Sequence, residues 1–388
     1  MFPSSGGVRW QLASPILGRL KIRLKDLVLS GKALDDGAHC AAAVAWLCRA
    51  QDATPDRGVS HSYLIGKGWM PSYPETTGYI IPTFINCSRL LGERRLLGRA
   101  LEMAEWELGL QLDNGAIPGL VNGEPVVFDT GQVLFGWLGA YAETGDRRFM
   151  DAAARAGDWL VSGLDGHGTW SAFGNPGTDS IHTYNVRVAW ALLALARASG
   201  EHRYADAAGR FVDWALGQEE GRGWFRRNCL NDNDRPLLHT IAYTSQGLFE
   251  CGLLLDDARC IDAARRTSAE LKERVGANGR MPGRFDSSWN PAAAWCCLTG
   301  MAQTAIVWQR LDRLDGTDHY AGAVEKVVSF LKGTQDLDAS DDGVRGGIKG
   351  SFPVNGGYGT YRLPNWAAKF FIDALLLREF PTADFPLY

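Results

Sequence analysis

The sequence lacks the long apolar runs that direct a chain to or through a membrane. No segment approaches the roughly 18 consecutive apolar residues of a membrane-spanning helix. The first residues, MFPSSGGVRWQLASPILGRLKIRLKDL, contain no unbroken apolar stretch of the kind found in signal peptides. We therefore expect a cytoplasmic protein without a membrane span.

The sequence also lacks paired cysteines and concentrated positive charge. Its eight cysteines form no CxxC pair and lie mostly in apolar helical stretches, which favours reduced, buried thiols over disulfides. The net charge is −4 with the two signs interspersed, unlike the basic footprint of a nucleic-acid-binding protein. We expect no nucleic-acid partner, no cofactor and no bound metal.

What the sequence does contain is a repeat of about 55 residues. LLGERRLL, ETGDRRFM, ASGEHRYA and LDGTDHYA each place a glycine before polar residues and an apolar-periodic segment. These glycines are Gly92, Gly145, Gly200 and Gly316, and the missing member falls at LLDDARCI, where Asp256 replaces glycine. A glycine that ends one helix just before the next begins predicts a tight helix–helix turn.

Longer loops alternate with the tight turns. They follow turn signals such as PDRG, LDNG, EGRG, GANG and SDDG. Helices after the long loops are apolar nearly all round, as in 185–196, whereas those after the tight turns are amphipathic, as in 147–163. The pattern predicts an all-α (α/α)6 toroid over 34–388, with six enclosed inner helices inside six outer ones. Residues 1–33 form an N-terminal extension that this pattern does not place.

In such a toroid the N-terminal ends of all inner helices meet on one face, and each predicted end carries polar or aromatic groups. Asp129 stands at the start of one apolar run, where it is expected to cap the helix. Six converging helix N-termini also favour an anionic ligand. The groups at the six ends are Glu75 and Tyr79; Asp129 and Gln132; His182, Tyr184, Asn185 and Arg187; His239 and Tyr243; Asn290, Trp295, Cys296 and Cys297; and Asn365, Trp366 and Lys369.

The chain resembles (α/α)6-toroid carbohydrate-active proteins, namely unsaturated glucuronyl hydrolases, polysaccharide lyases and sugar epimerases. FDTGQVLFGWLGAYAETGDRRFMDAA, residues 128–153, is similar to their inner-and-outer helix unit. AWCCLTGMAQTAIVW and PNWAAKFFIDALL are similar to segments of bacterial proteins associated with exopolysaccharide synthesis. The resemblance implies an oligosaccharide or polysaccharide substrate, with acids at successive inner-helix ends followed by His and Arg. Glu75, Asp129, His182 and Arg187 follow that order.

Three functions remain open at this stage. Hydrolysis of a glycoside, which we favour, would use Asp129 as acid and Glu75 as its partner. A uronate lyase or C5-epimerase would instead remove the proton next to a carboxylate, with a Tyr or His base and a neutralising Arg. The residues for that chemistry are His182, Tyr184, Arg187, His239 and Tyr243. The third function is a non-catalytic scaffold that binds glycan.

Further side chains are candidates for holding a sugar. Aromatic rings in the long loops can stack on pyranose faces, and polar groups of the inner helices can bind hydroxyls. The substrate-binding candidates are Tyr79, Gln132, Trp170, Asn185, Trp224, Trp289, Trp295, Asn365 and Lys369. AWCCLTG is faintly similar to the zinc-binding helix of lanthionine-synthetase-like toroids, but the last repeat supplies no further Cys or His pair. The acidic clusters LNDNDRP and ASDDGVR are better explained as solvated turns than as calcium sites.

Overall fold

The apolar periodicity of the chain becomes two kinds of helix in the computed structural model, which describes residues 9–28, 34–120, 122–174 and 181–383. In chain order the helices are α1 (Arg9–Val28), α2 (Asp36–Asp52), α3 (Pro74–Leu91), α4 (Arg94–Leu110), α5 (Val127–Thr144), α6 (Arg147–Ser162), α7 (Val186–Ser199), α8 (His202–Leu216), α9 (Leu238–Leu255), α10 (Ala258–Lys272), α11 (Leu298–Asp315), α12 (Ala321–Thr334) and α13 (Asn365–Glu379). A short 3₁₀ turn, Thr183–Asn185, precedes α7.

Six helices form a closed inner ring. Helices α3, α5, α7, α9, α11 and α13 pack against one another in that order, and α13 packs against α3. The outer helices α4, α6, α8, α10 and α12 each pack on the inner helix that precedes them, whereas α2 packs on α13. The predicted (α/α)6 toroid is confirmed. One hairpin of the ring therefore joins helices from the two ends of the described chain.

The tight turns have the backbone that the repeat predicts. Gly92, Gly145, Gly200 and Gly316 follow inner helices with φ between 64° and 78°. Asp256 occupies the same place after α9 with φ 54°. Left-handed backbone at this position ends an α-helix and turns the chain, and Asp adopts it at some cost where glycine adopts it freely. The aspartate at the fourth of these five turns therefore preserves the turn.

Close packing of α3 against α5 depends on small residues. A Cβ atom on Gly78 would lie 2.5 Å from the Cα atom of Val133, and one on Gly136 would lie 2.5 Å from the carbonyl oxygen of Gly78. Since real Cβ atoms do not approach so closely, only glycine permits this separation of the two helices. The contact brings the N-terminal turn of α3, with Glu75, beside that of α5, with Asp129.

Short strands fasten the loops on the face where the inner helices begin. They are β1 (Ser62–Leu64), β2 (Gly68–Trp69), β3 (Cys296–Cys297), β4 (Ser351–Phe352) and β5 (Arg362–Pro364). β1 pairs antiparallel with both β2 and β5, and β3 pairs antiparallel with β4. The β1–β5 pairing sets the loop before α3 beside the start of α13, which places His61 against Trp366.

Part of the N-terminal extension is the helix α1, while residues 1–8 and 29–33 lie outside the described residues. Asp26 of α1 is buried, pairs with the Lys349 Nζ atom at 2.5 Å and accepts a hydrogen bond from the Val354 backbone N–H at 2.7 Å. Helix α1 is thereby held against the loop that connects α12 to α13.

The structure also bears on the state of the cysteines and on membrane-spanning helices. All eight cysteines lie within the described residues, and each is buried and unbridged, as expected. No helix in the described parts of the chain combines the length and apolar character that crossing a membrane requires.

Candidate functional site

The N-terminal ends of the inner helices carry no side-chain caps. The N-cap residues of α3, α5, α7, α9, α11 and α13 are Tyr73, Val126, Asn185, Leu237, Cys297 and Pro364, and none of their side chains makes a capping hydrogen bond. By contrast, aspartates cap the outer helices α2, α6 and α10. The expectation that Asp129 is an N-cap is wrong, because α5 begins at Val127 and Asp129 lies inside its first turn. Its carboxyl group is therefore not engaged in capping.

A cavity of about 230 Å³ lies among these helix ends. Most of its walls are aromatic, and the partly exposed residues on its rim include His61, Tyr73, Glu75, Tyr358 and Trp366. The complete lining is His61, Tyr73, Glu75, Tyr79, Phe128, Tyr184, Leu230, His239, Thr240, Tyr243, Tyr358 and Trp366. Rings with hydroxyl and imidazole groups among them suit a ligand with both apolar faces and polar edges, as a sugar has.

Glu75 and Asp129 form a pair of acids beside this cavity. Burial raises the pKa of Glu75 to about 7. Hydrogen bonding from Tyr73 and the charge of Arg187 oppose this shift, because both favour the ionised form. Burial and then the charge of Glu75 raise the pKa of Asp129 well above its usual range, again opposed by Tyr73. Glu75 lines the cavity, whereas Asp129 is 1% exposed and does not. Because ionisation of one carboxyl disfavours ionisation of the other, the two titrate as one unit.

Arg187 lies below the cavity and does not line it. Its Nε atom donates to the Gln132 Oε1 atom at 3.0 Å, and its Nη1 atom donates to the Gln246 Oε1 atom at 2.9 Å. The guanidinium carbon sits 4.7 Å from the centre of the Tyr243 ring, a cation–π arrangement. Arg187 is fully buried, so it supplies positive charge beneath the acids and supports Tyr243.

His239 lines the cavity with a defined ring orientation. Its Nδ1 atom lies 2.6 Å from the Gln303 Oε1 atom, so with this amide assignment Nδ1 carries the proton and Nε2 is the basic nitrogen. Burial lowers the pKa of His239 to about 4, although the Gln303 contact opposes the shift. A neutral imidazole between Tyr243 and Tyr358, whose ring centres are 4.3 and 5.4 Å away, is suited to accept a proton or a hydrogen bond.

The remaining catalytic candidates are brought to the same region at different depths. Tyr184 and Tyr243 line the cavity. His182 does not, but its ring stacks on Tyr184 with centres 4.7 Å apart and planes 12° apart. His182 therefore orients Tyr184.

Several substrate-binding candidates lie in the core beneath the cavity. Tyr79 lines the cavity, but Gln132, Asn185, Asn365 and Lys369 do not. The Asn365 side-chain nitrogen donates to the Ser60 carbonyl oxygen and to the Thr76 hydroxyl. The Lys369 Nζ atom pairs with Asp373 at 2.7 Å, with both side chains at most 1% exposed. These polar groups fix the floor of the site.

The four tryptophan candidates are not brought to the cavity. Trp170 packs on Phe211, and its indole N–H donates to the Leu160 carbonyl oxygen. Trp224 and Trp289 pack edge-to-face with ring centres 5.3 Å apart. Trp295 packs against the backbone of Gly283 and Gly356. None of the four lines the cavity, and Trp224 lines a separate cleft with Arg226 and Arg227.

Sequence reasoning missed some of the lining. His61 reaches the cavity from the loop before β1, where its ring lies 5.4 Å from Tyr73 and 4.8 Å from Trp366. Phe128 contacts both Tyr184 and Tyr243. Phe128 directly precedes Asp129, so its position at the predicted start of an inner helix could have identified it as a lining residue. His61 lies in a loop where the sequence predicts no helix start, so no comparable pattern marked it.

Glu107 of the outer helix α4 is a further buried acid behind the pair. It is fully buried, and neither carboxyl oxygen makes a hydrogen bond to any described residue. Burial and then the charges of Asp129 and Asp56 raise its pKa well above the usual range. An isolated buried carboxyl destabilises the fold unless it holds its proton.

Replacing Glu107 with methionine is therefore expected to raise the free energy of unfolding by about 1–3 kcal/mol near pH 8. The folded-state pKa is raised, so the folded protein keeps a proton that the unfolded chain releases above about pH 4.5. The stability of the unaltered protein then falls as the pH rises, and the gain from the substitution is smaller at about pH 5. Urea unfolding at both pH values measures this. Glu102→Met, at an exposed position of the same helix, is the control; an equal gain at both pH values would contradict the explanation.

A closed ring of helical hairpins with a polar cavity at the N-terminal ends of its inner helices defines an (α/α)6 toroid of the kind found in carbohydrate-active proteins. The chain is similar to the unsaturated glucuronyl hydrolase of Bacillus sp. GL1, responsible for the degradation of glycosaminoglycan, at 17% identity and a TM-score of 0.71, over 88% of this chain and 96% of that one. It is similar to cellobiose 2-epimerase of Bacillus thermoamylovorans at 11% identity and a TM-score of 0.66, over 92% and 98% of the two chains. A polysaccharide lyase matches at 14% identity and a TM-score of 0.58, over 80% of this chain and 92% of the lyase.

These similarities confirm the fold that the sequence resemblance implied. They fall in the same three enzyme groups, hydrolase, epimerase and lyase, and identities this low establish the fold alone. No known family model matches the chain, and no curated protein sequence matches it.

Proposed function

We propose that this protein is an enzyme that hydrolyses a uronate-containing oligosaccharide, with Glu75 and Asp129 as its shared acid and base. The observation that carries the proposal is the buried acid pair, of which one member lines a cavity ringed by aromatic side chains. A carboxyl group that keeps its proton near neutral pH is the form a general acid requires.

The size of the cavity favours action at one end of the substrate. About 230 Å³ is less than the roughly 300 Å³ at which pockets for drug-sized ligands begin, so it suits a single sugar ring. The uncapped inner-helix N-termini and the buried Arg187 add positive potential beneath that ring. A terminal uronate, which carries one carboxylate, matches both properties.

The arrangement of the two acids favours one type of hydrolysis. Inverting cleavage of an ordinary glycoside needs carboxyls roughly 6.5–9.5 Å apart with water between them. Here Tyr73 favours the ionised form of both acids, and Asp129 does not reach the cavity to attack a sugar carbon. A pair that acts as a single proton donor and acceptor suits an enol ether, because hydrolysis of an enol ether begins with one proton transfer to its double bond and needs no carboxylate that attacks a sugar carbon.

A uronate unsaturated between C4 and C5 is such a substrate. Glu75 would donate its proton to C4, leaving a cation at C5 that the ring oxygen stabilises. Water would add at C5 and return a proton to the acid pair. The resulting hemiketal would open to a ketone at C5 and a hemiacetal at C1, and collapse of that hemiacetal would break the glycosidic C1–O bond and release the rest of the sugar chain as an alcohol. The glucuronyl hydrolases among the similar structures are named for unsaturated substrates, which supports this choice.

A second candidate is epimerisation or elimination with His239 as base. It is favoured by the neutral imidazole that lines the cavity, with its Nδ1 atom fixed by Gln303 and Tyr243 close by. This chemistry would remove a proton from the sugar and would not need Glu75 as an acid.

One experiment separates the candidates. The protein is incubated in heavy water with saturated and unsaturated uronyl disaccharides, and the products are analysed by mass spectrometry. Cleavage of the unsaturated substrate, with deuterium incorporated at C4, supports the proposal. An uncleaved sugar that gains one deuterium favours epimerisation, and new unsaturated fragments favour elimination. Binding without any change favours a glycan-binding scaffold.

The pH dependence of the hydrolysis follows from the acid pair. If Glu75 must be protonated, kcat/KM is highest below about pH 7 and falls about tenfold per pH unit above it, because its pKa is about 7. A kcat/KM profile from about pH 5 to 9 measures this. A rate that is constant or rising through pH 7 would show that Glu75 does not act as the acid.

A further inference from the structure

Helix α1 has one face that is fixed to the toroid. Ile22 and Asp26 are buried, and Asp26 pairs with Lys349. The Arg19 side chain donates to the Ile65 carbonyl oxygen and lies over the Tyr361 ring, and Lys25 pairs with Asp336 at 2.5 Å. These contacts determine which side of α1 faces away from the protein.

The opposite face presents leucines to solvent. Leu20, Leu24 and Leu27 are 51%, 55% and 80% exposed. Their spacing of i, i+4 and i+7 aligns them along one side of the helix, about half a turn from Ile22. We call these three residues the leucine stripe. An exposed apolar stripe is unusual on a helix whose opposite face already packs against the protein.

Basic side chains flank the leucine stripe. Lys21 and Arg23 are exposed, and neither makes an ion pair or a side-chain hydrogen bond to a described residue. On the exposed face of α1 between residues 18 and 27, the charged side chains are both positive. The surface is therefore apolar along its centre and cationic at its edges.

We propose that α1 docks the protein on an anionic phospholipid surface, with the leucine stripe inserted among the lipid headgroups. Amphipathic helices that lie in a membrane interface combine an apolar face with Lys and Arg, whose long side chains reach the anionic headgroups. The apolar groups of α1 thus match the apolar layer of such a surface, and its cationic groups match the anionic headgroups. The proposal does not depend on the reaction that the cavity performs.

Charge argues against a second copy of the chain as the occupant. In a two-fold symmetric contact the same patch meets itself, so Lys21 and Arg23 of one copy would approach those of the other. Within residues 18–27 the exposed face of α1 offers no acid to compensate them. Asp336 and Asp341 lie in the cleft that Lys21 lines, where they bind Lys25 and the Tyr63 hydroxyl. An anionic lipid surface supplies the missing charge.

The test measures binding of the full chain to vesicles by flotation. Vesicles of phosphatidylcholine alone are compared with vesicles in which about a third of the lipid is phosphatidylglycerol. We expect about tenfold stronger binding to the anionic vesicles. The combined substitutions Leu20→Ser, Leu24→Ser and Leu27→Ser are expected to weaken that binding at least about tenfold. The control is Leu253→Ser with Leu314→Ser, two leucines that are 38% and 44% exposed elsewhere.

Circular dichroism and thermal unfolding show whether each variant keeps its fold, which is expected because the altered side chains are exposed. A leucine-stripe variant that binds like the unaltered protein would overturn the proposal, as would equal binding to neutral vesicles. A dimer in sedimentation that depends on the stripe, without vesicle binding, would assign it to a second copy. Binding that depends on the stripe to soluble polyglutamate, but not to vesicles, would assign it to an acidic protein.

Discussion

Glu75→Gln is expected to lower kcat on an unsaturated uronyl disaccharide by about 10²–10⁴-fold. Glutamine has nearly the same size and still reaches the Tyr73 hydroxyl, but it cannot transfer a proton. Because Glu75 lines the cavity while Asp129 does not, Asp129→Asn is expected to have a smaller effect, about 10- to 100-fold, through the proton that the pair shares. Initial rates of product release at about pH 6, where the pair is protonated, measure both effects.

The matched control for these two substitutions is Glu102→Gln on α4. Glu102 is an exposed acid whose only described ion-pair partner is Arg57 at 3.5 Å, so kcat should not change. Full activity in Glu75→Gln, with the fold intact, would rule out the acid pair as the source of the proton. If His239→Gln alone then abolished turnover, the second candidate function would replace the first.

Lys369→Met is expected to lower the free energy of unfolding by about 3–5 kcal/mol. The substitution leaves Asp373 buried on α13 with the Thr83 hydroxyl, 2.9 Å away, and the charge of Arg187 to stabilise its ionised form. Burial lowers the pKa of Lys369 to about 8 and raises the pKa of Asp373, so each ion depends on the other to remain charged. Urea unfolding near pH 7 measures the loss.

The double variant Lys369→Met with Asp373→Leu tests the cause of that loss. If the cost comes from an uncompensated buried charge, removing both ions restores most of the stability. Arg265→Met is the control, because its pairs with Asp262 and Asp315 lie at the surface and such pairs contribute at most about 1 kcal/mol each. Equal instability of the single and double variants would show that the ion pair itself stabilises the toroid.

The repeat predicted the fold because each hairpin carries its signals locally. Gly92, Gly145 and Gly200 mark turns by their position after apolar helices, and even the Asp256 exception adopts the predicted backbone. The inner-helix ends were predicted for the same reason, since Glu75, Tyr243 and Trp366 follow from where apolar runs begin. Periodicity along the chain determines which helix ends converge.

The depth and direction of each side chain were not predictable in this way. Asp129 was placed at the correct helix end, but whether it lies before the helix or in its first turn depends on a boundary of two residues. Trp170 and Trp289 come from loops, whose course is set by contacts with distant segments. Glu107 sits in an amphipathic helix where a charged residue normally faces water, so nothing local indicates its burial.

The pairing of α2 with α13 makes this a ring whose last contact joins residues more than 300 positions apart. In an open array of repeats, each unit adds its own stability and the ends can fray separately. Closing a ring costs loop entropy, which the contacts between neighbouring hairpins must offset. We therefore expect all six hairpins to unfold as one cooperative unit. The cavity at the centre therefore exists only when the whole circle does, and its shape is a property of closure as much as of any single helix.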